Sequence, residues 1–367
     1  MEQTSQRAIR AMDPAGDLAE IMARLAAALS GDGAALSIGA ISVESVSPEI
    51  SLVVPTSGST GHPREVGLST RALISSARAS NKFLGAEKGD LWSLLLPLTH
   101  IAGLNVLIRS LECKTVPIDV RQTSGKYPAV DFTAIVPTQL FRALNGDADL
   151  LEHLMTAKSV LVGGAALDTN LRKKATNAGI NIVESYGMTE TCGGCVFDGI
   201  ALDGISIKLN SSGNIRISGS SLASQYINDV KLWNEKFQDG FFESSDVGEI
   251  IAGKLVISGR SDDIIISGGE NISLKEIEKV VTDKYPELEI AAFAVPDSEW
   301  GQILYLAIVK TDRLEIKDDL GINSLLTTQI SEIAKIKRFL YLDQLPRTPL
   351  DKIDRNELIK IAQKGLL

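Results

Sequence analysis

Apolar residues recur at helical spacing at Leu18, Ile21, Leu25 and Leu29, and Gly31 follows as a stop signal, so the pattern predicts that the chain opens with an amphipathic helix. The run from Ile50 to Val54 predicts a short buried strand. Further apolar runs at Trp92–Leu96, Ala134–Val136, Ser159–Val162 and Ile180–Val183 alternate with helical patterns over Thr70–Phe83 and Pro137–Leu144. Such alternation predicts an α/β domain with a largely parallel sheet. Shorter strands between Gly204 and Gly259 predict an antiparallel appendage. After Gly259 the character changes, with a turn-rich segment, a helix over Leu274–Asp283, strands over Ile290–Val295 and Leu304–Val309, and helices at both ends of the final stretch. This reads as a separate small α+β domain of about 100 residues.

Composition narrows the classes. At 367 residues the chain has room for a large domain and a smaller one, and 44% apolar with 23% charged residues is enough to bury a core. A net charge of −9 argues against nucleic acid as a partner, because neutralising phosphates needs a basic surface. An anionic nucleotide would need local donors instead. Glu2, Asp13 and Asp17 precede the first apolar segment, unlike a basic-then-apolar leader, and Pro97, His100, Gly103 and Asn105 break the stretch from Leu91 to Ile108. The expectation is a cytoplasmic protein with no integral membrane segment. Three cysteines, Cys113, Cys192 and Cys195, make no disulfide framework. The composition leaves a homo-oligomer open.

The segment Thr56-Ser57-Gly58-Ser59-Thr60-Gly61 directly follows the strand predicted at Ile50. Glycines allow close backbone approach, and main-chain N–H groups with hydroxyls can cradle phosphate oxygens. It is not a Walker loop, for no Gly-Lys-Ser/Thr follows at the required spacing. Taken alone it reads more readily as a flexible loop. A second element, Ser185-Tyr186-Gly187-Met188-Thr189-Glu190, follows the strand predicted at Ile182 to Glu184 and offers an aromatic face, a hydroxyl and a hard carboxylate.

These two elements resemble the adenylate-forming superfamily of acyl-CoA synthetases, whose phosphate loop is matched from Thr56 to Pro63 and then departs at Arg64 and Glu65. The resemblance runs in family order from residue 52 to residue 355. It implies the superfamily's fold, trimmed at the N-terminus, with residues 1–258 as the ATP- and acid-binding domain, 259–262 as hinge and 263–367 as a small mobile lid. The implied cofactors are ATP, Mg2+ and coenzyme A. Arg64 keeps the positive charge of the family's lysine, whereas Glu65 is expected to place an acid near the phosphates.

The same resemblance gives roles to other residues. Tyr186 would stack on adenine, Thr189 would offer its hydroxyl to phosphate and Glu190 would hold Mg2+. Gly163 and Gly164 would border the nucleotide and acyl pocket with Ser185 and Gly187. Asp246 would accept both ribose hydroxyls, with Arg260 reaching the ribose or α-phosphate. Asp262 falls at the hinge, and Gly268, Gly269 and Glu270 lie in the loop that lines the pantetheine tunnel. Lys352, in Pro346-Arg347-Thr348-Pro349-Leu350-Asp351-Lys352, would stabilise the charge between the α-phosphate and the attacking carboxylate; Asp351 replaces the usual glycine before it.

Within the superfamily, Pro97 to Leu104, Val136 to Leu140 and Thr189 to Gly194 resemble o-succinylbenzoate:CoA ligases of menaquinone biosynthesis. Their substrate carries two carboxylates, of which one is recognised while the other is adenylated. Arg109 is the candidate for recognition, on a helical pattern through Leu104, Leu107, Ile108 and Leu111 that puts it beside Asn105, lining a pocket or facing water. His100 is a candidate for gating or lining the acyl pocket, or packs structurally. Cys192-Gly-Gly-Cys195 has metal spacing but no second pair, so it reads as packing. Three rivals stand: another aryl- or fatty-acyl-CoA ligase, an adenylating enzyme that loads a carrier protein, and a non-catalytic nucleotide-binding relative.

Overall fold

The helical face at Ile21 and Leu25 forms as the spacing requires. Helix Leu18–Ser30 is capped by Asp17, whose carboxylate accepts from Glu20 N, and ends at Gly31, where φ of +88° suits only a residue without Cβ strain. It turns Ile21, Met22, Leu25 and Ala28 inward. It is not, however, the first element: strand Arg7–Met12 precedes it and pairs in parallel with Ala35–Ile38. The Arg7 guanidinium fixes this strand by donating to Gly33 O at 2.9 Å, Ile50 O at 3.2 Å and Ser51 Oγ at 3.0 Å.

The computed structural model describes residues 6–56, 64–267, 270–297, 301–309, 318–347 and 353–364. The chain splits into two compact units, Met1–Ser244 with Gly248–Ile257, and Ser245–Val247 with Ser258–Leu367.

The first unit holds two large sheets rather than one. The seven-stranded sheet is parallel from Ile118–Asp119 through Trp92–Leu94, Phe132–Ile135 and Ser159–Gly163 to Ile182–Met188, with Gly193–Phe197 and Ile200–Ala201 antiparallel at one edge. Alternate residues of its strands serve opposite faces. Phe132, Ala134, Leu161 and Val183 join the central core with helices Thr70–Leu84 and Ile101–Glu112. Ile135, Val160, Val162 and Ile182 pack instead against Leu140, Leu154 and Ala175 of the helices Pro137–Leu144, Ala148–Thr156 and Thr169–Asn177. A sheet buried on both faces explains why these strands read as unbroken apolar runs. The six-stranded sheet is mixed, with Ile50–Thr56 parallel to Ala35–Ile38 but antiparallel to Arg64–Ser69, and it faces the central core through Leu36, Leu52, Val54, Val66 and Leu68. The expectation of one largely parallel sheet therefore holds for only one of the two. The segment after residue 204 forms the smaller antiparallel sheet anticipated there.

His153 sits buried on the outer face, with Nδ1 donating to Pro128 O at 3.0 Å and Nε2 2.9 Å from Ser93 Oγ. Burial holds its pKa below the ordinary value. A depressed folded-state pKa adds stability above the unfolded value, about 6.5, which is lost as pH falls through the folded value. Thermal midpoints measured from pH 7.5 down to 5 should therefore decline, and His153→Gln should flatten that decline below about pH 6.5.

The second unit uses its sheet the same way. Ala292, Ala294, Leu304, Leu306 and Ile308 pack on Ile277, Val281, Ile322 and Leu326, while Ala291, Phe293, Val295, Tyr305 and Ala307 pack on Leu345, Leu358 and Ala362. The terminal helix Arg355–Lys364 is capped by Asp354, whose Oδ1 accepts from Glu357 N at 3.1 Å.

Candidate active site

Two of the motifs meet in the first unit. Strands Ile50–Thr56 and Arg64–Ser69 form a hairpin whose last pair is Thr56 with Arg64, so the hydroxyl-rich turn between them joins strand to strand. Thr56 Oγ1 donates to Arg64 O at 3.4 Å. Ser57, Gly58, Ser59, Thr60 and Gly61 lie outside the described residues. On the far side of the turn, the Arg64 guanidinium carbon lies 5.7 Å from the centroid of the Tyr226 ring, and Tyr226 donates to Glu190 Oε1 at 2.8 Å. The phosphate-loop candidate and the cation-ligand candidate are thus linked through one aromatic side chain.

Glu65 behaves otherwise than expected. Its carboxylate is buried and accepts from Ser42 N at 2.7 Å and from Ser42 Oγ at 2.5 Å. Neighbouring residues of a strand face opposite ways, and the acid is spent on pinning residue 42 rather than offered to phosphates.

The second motif lies within strand Ile182–Met188 and the 3-10 turn Thr189–Thr191, not after a strand that stops at Glu184. Ser185 pairs with Gly163, which places the two glycines at the carboxyl end of Ser159–Gly163 beside the motif. Loops beyond the carboxyl ends of strands are where open α/β sheets bind ligands. A Cβ on Gly163 would lie 2.9 Å from Ser185 O, and one on Gly187 only 1.9 Å from Gly193 O, so both sites require glycine for close backbone approach. Tyr186 is half-buried against Cys195, Val196 and Ile215.

The turn bearing Thr189 and Glu190 is fastened from below by residues that the sequence alone did not single out. Asn105 Nδ2 donates to Cys192 O at 2.7 Å, and Ser76 Oγ donates to the same carbonyl at 3.0 Å. Both donors sit on the core helices, and a polar residue at an otherwise apolar helix position is the sequence signal for such a tie. Cys192 itself is fully buried, and burial pushes its thiol pKa far up, as befits packing. Among the described residues no group of three or more His, Cys, Asp or Glu is placed to hold a metal.

His100 is half-buried at the start of helix Ile101–Glu112. Arg109, near the other end of that helix, is buried at 4% exposure and does not face water. Its guanidinium carbon lies 5.2 Å from the Trp92 ring centroid. Its Nε has no hydrogen-bond partner among the described residues. Desolvation lowers its pKa to about 10, and no charged neighbour contributes to that shift. At neutral pH it is a buried, protonated cation.

In the second unit, Arg260 Nη1 donates to Asp246 Oδ1 at 3.3 Å, and Ser261 Oγ donates to Ser245 O at 3.0 Å. Asp262 lies in the 3-10 turn Ser261–Asp263, and Glu270 begins the strand Glu270–Ser273. Gly268, Gly269 and Lys352 lie outside the described residues. The described residues on either side of Lys352 meet, through the bridge of Arg347 with Ile353 and through Asp354 N donating to Pro346 O at 2.8 Å. Arg355 adds ion pairs to Glu278 at 2.7 Å and to Asp263 at 3.3 Å.

The comparisons with known proteins bear on the family and the fold. Residues 24–215 match the family model described as AMP-binding enzyme. A probable 2-succinylbenzoate–CoA ligase of Mycobacterium tuberculosis is 32% identical over 339 residues, covering 88% of each chain. The 2-succinylbenzoate–CoA ligase of Lactococcus lactis is 30% identical over 342 residues, covering 84% of this chain and 71% of its own. Among solved structures, the o-succinylbenzoate CoA synthetase of Bacillus subtilis in complex with its acyl-adenylate intermediate matches with a TM-score of 0.74 at 23% identity, over 95% of this chain and 82% of that one. The ATP-bound MatB of Rhodopseudomonas palustris matches at 0.75 and 20%, over 97% and 84%.

Proposed function

The chain belongs to the AMP-binding enzyme family, and from that premise we propose that it is an AMP-forming acid:CoA ligase that adenylates o-succinylbenzoate and passes the acyl group to coenzyme A, in the menaquinone pathway of the cytoplasm. The observation that carries the choice of acid is Arg109, a buried guanidinium with no anionic partner among the described residues. Burying an unpaired charge costs several kcal/mol, which a substrate carboxylate arriving there would offset. An acid without a second carboxylate leaves that cation unpaired.

The chain's own donors support the nucleotide half of this reading. The turn from Thr56 to Gly61 supplies N–H and hydroxyl groups for phosphate oxygens. Tyr186 offers its ring to adenine, Thr189 its hydroxyl to phosphate, and Asp246 with Arg260 the acceptor and donor for ribose. Glu190 is the proposed ligand of Mg2+, a hard carboxylate for a hard cation. That cation commonly takes one or two protein carboxylates and completes its shell with water and substrate phosphates. The solitary acidic side chain at this turn fits such a site. A bound Mg2+ would draw charge off the phosphates while Lys352 neutralises the reacting centre. Gly268, Gly269 and Glu270 are the proposed contacts of coenzyme A, with Asp262 as pivot.

The test is an acid panel with acyl-CoA scored by mass. o-Succinylbenzoate should give product with ATP and CoA, whereas benzoate and fatty acids should give little. Equal product from a monocarboxylate would remove the assignment of the acid, and pyrophosphate release without acyl-CoA would point to a carrier protein as acceptor.

A further inference from the structure

We infer that Tyr226 is a positioning residue for Glu190, fixing one carboxylate oxygen so that the other is presented to the nucleotide-bound divalent cation; this rests on the reading of Glu190 as the cation ligand. The geometry is confined to the first unit. Tyr226 is fully buried and lies on strand Gln225–Tyr226, paired with Arg64–Ser69 through Val66. Its ring is held edge-on by Trp233, with centroids 5.3 Å apart at 85°. The hydroxyl donates to Glu190 Oε1 at 2.8 Å. A few residues earlier on the same segment, Ala223 N donates to Glu190 O at 2.8 Å. Backbone and side chain of Glu190 are therefore both tied to residues 223–226.

A carboxylate offers about four lone-pair directions on its two oxygens. One donor on Oε1 orients the group and leaves Oε2 for a cation. Orientation matters here because no group of three or more acidic, histidine or cysteine ligands is assembled among the described residues, so each protein oxygen has a large share of the work. The neighbouring cation sharpens the argument. Arg64 lies over the Tyr226 ring, and its Nε has no hydrogen-bond partner among the described residues. Without the phenol, the Glu190 carboxylate is released to pair with that guanidinium, in direct competition with a divalent ion. Partners that orient a metal ligand from behind usually contribute about 10–100-fold in metal affinity.

The test uses the full chain, a non-hydrolysable ATP analogue and Mn2+ as the probe, titrated by electron paramagnetic resonance of the free ion. Tyr226→Phe, which keeps the ring between Trp233 and Arg64, should weaken Mn2+ affinity about 10–100-fold while metal-free analogue binding stays unchanged. A role confined to packing would lower the thermal midpoint and leave Mn2+ affinity of the folded protein as it was; that result overturns the inference. Glu190→Gln is run alongside. If it weakens Mn2+ binding and Tyr226→Phe does not, only the positioning role fails. If neither variant changes Mn2+ binding, the assignment of Glu190 falls and the inference with it. Should Tyr226→Phe not fold, Tyr226→Met fills the space without a donor and carries the same expectation.

Discussion

Replacing Lys352 by alanine should slow pyrophosphate release in the presence of acid and ATP by about 10²–10³, the usual loss when one donor is withdrawn from charge that develops in the transition state. In adenylation a carboxylate oxygen attacks the α-phosphate, so two anionic groups approach and negative charge concentrates between them. An ammonium placed there is worth more at that moment than in the ground state, and the loss should fall on kcat rather than on the KM for ATP. Folding should be spared. The helix that follows keeps its Asp354 cap, and Arg355 keeps its pairs with Glu278 and Asp263. An unchanged thermal midpoint with a collapsed rate is the expected pair of readings. Full activity in Lys352→Ala would detach this lysine from the chemistry.

Arg109→Ala should lower kcat/KM for o-succinylbenzoate by about 1.5–3 kcal/mol, roughly 10–100-fold, as expected when a charge-assisted hydrogen bond is lost. The KM for ATP should not move, since the residue lies near the far end of helix Ile101–Glu112. Stability provides the control. The wild-type residue is a desolvated cation, so Arg109→Met, which replaces it by an apolar chain of similar length, should fold at least as well while losing the same discrimination. If both variants use o-succinylbenzoate as well as the parent chain, Arg109 is a packing residue stacked on Trp92 and the second carboxylate is recognised elsewhere.

Much of the proposed site was legible because its chemistry is written in short contiguous segments. The hydroxyl-rich turn, the Ser185 to Glu190 element and the lysine before the last helix each announce a local backbone need or a local donor set. The glycines are the clearest case, for Gly187 meets Gly193 O too closely for any side chain. What escaped reading were pairings between distant residues. Tyr226 and Glu190 are 36 positions apart, and nothing near Tyr226 marks its hydroxyl as bound for an acid. Asn105 and Cys192 are 87 apart. Glu65 was expected near phosphates because its sequence neighbours resemble a phosphate loop, yet a strand sends adjacent side chains to opposite faces and Ser42 takes it. Strand Arg7–Met12 went unread for a related reason: its pairing depends on an arginine reaching carbonyls of three other segments.

The sequence by itself determined the α/β alternation, the glycine positions and the order of the proposed site segments, because periodicity, backbone freedom and local donor chemistry are properties of neighbours along the chain. Tertiary structure alone decided that Arg109 is a dry cation, that Glu65 is a strut and that Glu190 is gripped by a phenol. Burial and hydrogen-bond partners come from the packing of remote elements, and desolvation sets the energy of a charge only after that packing exists.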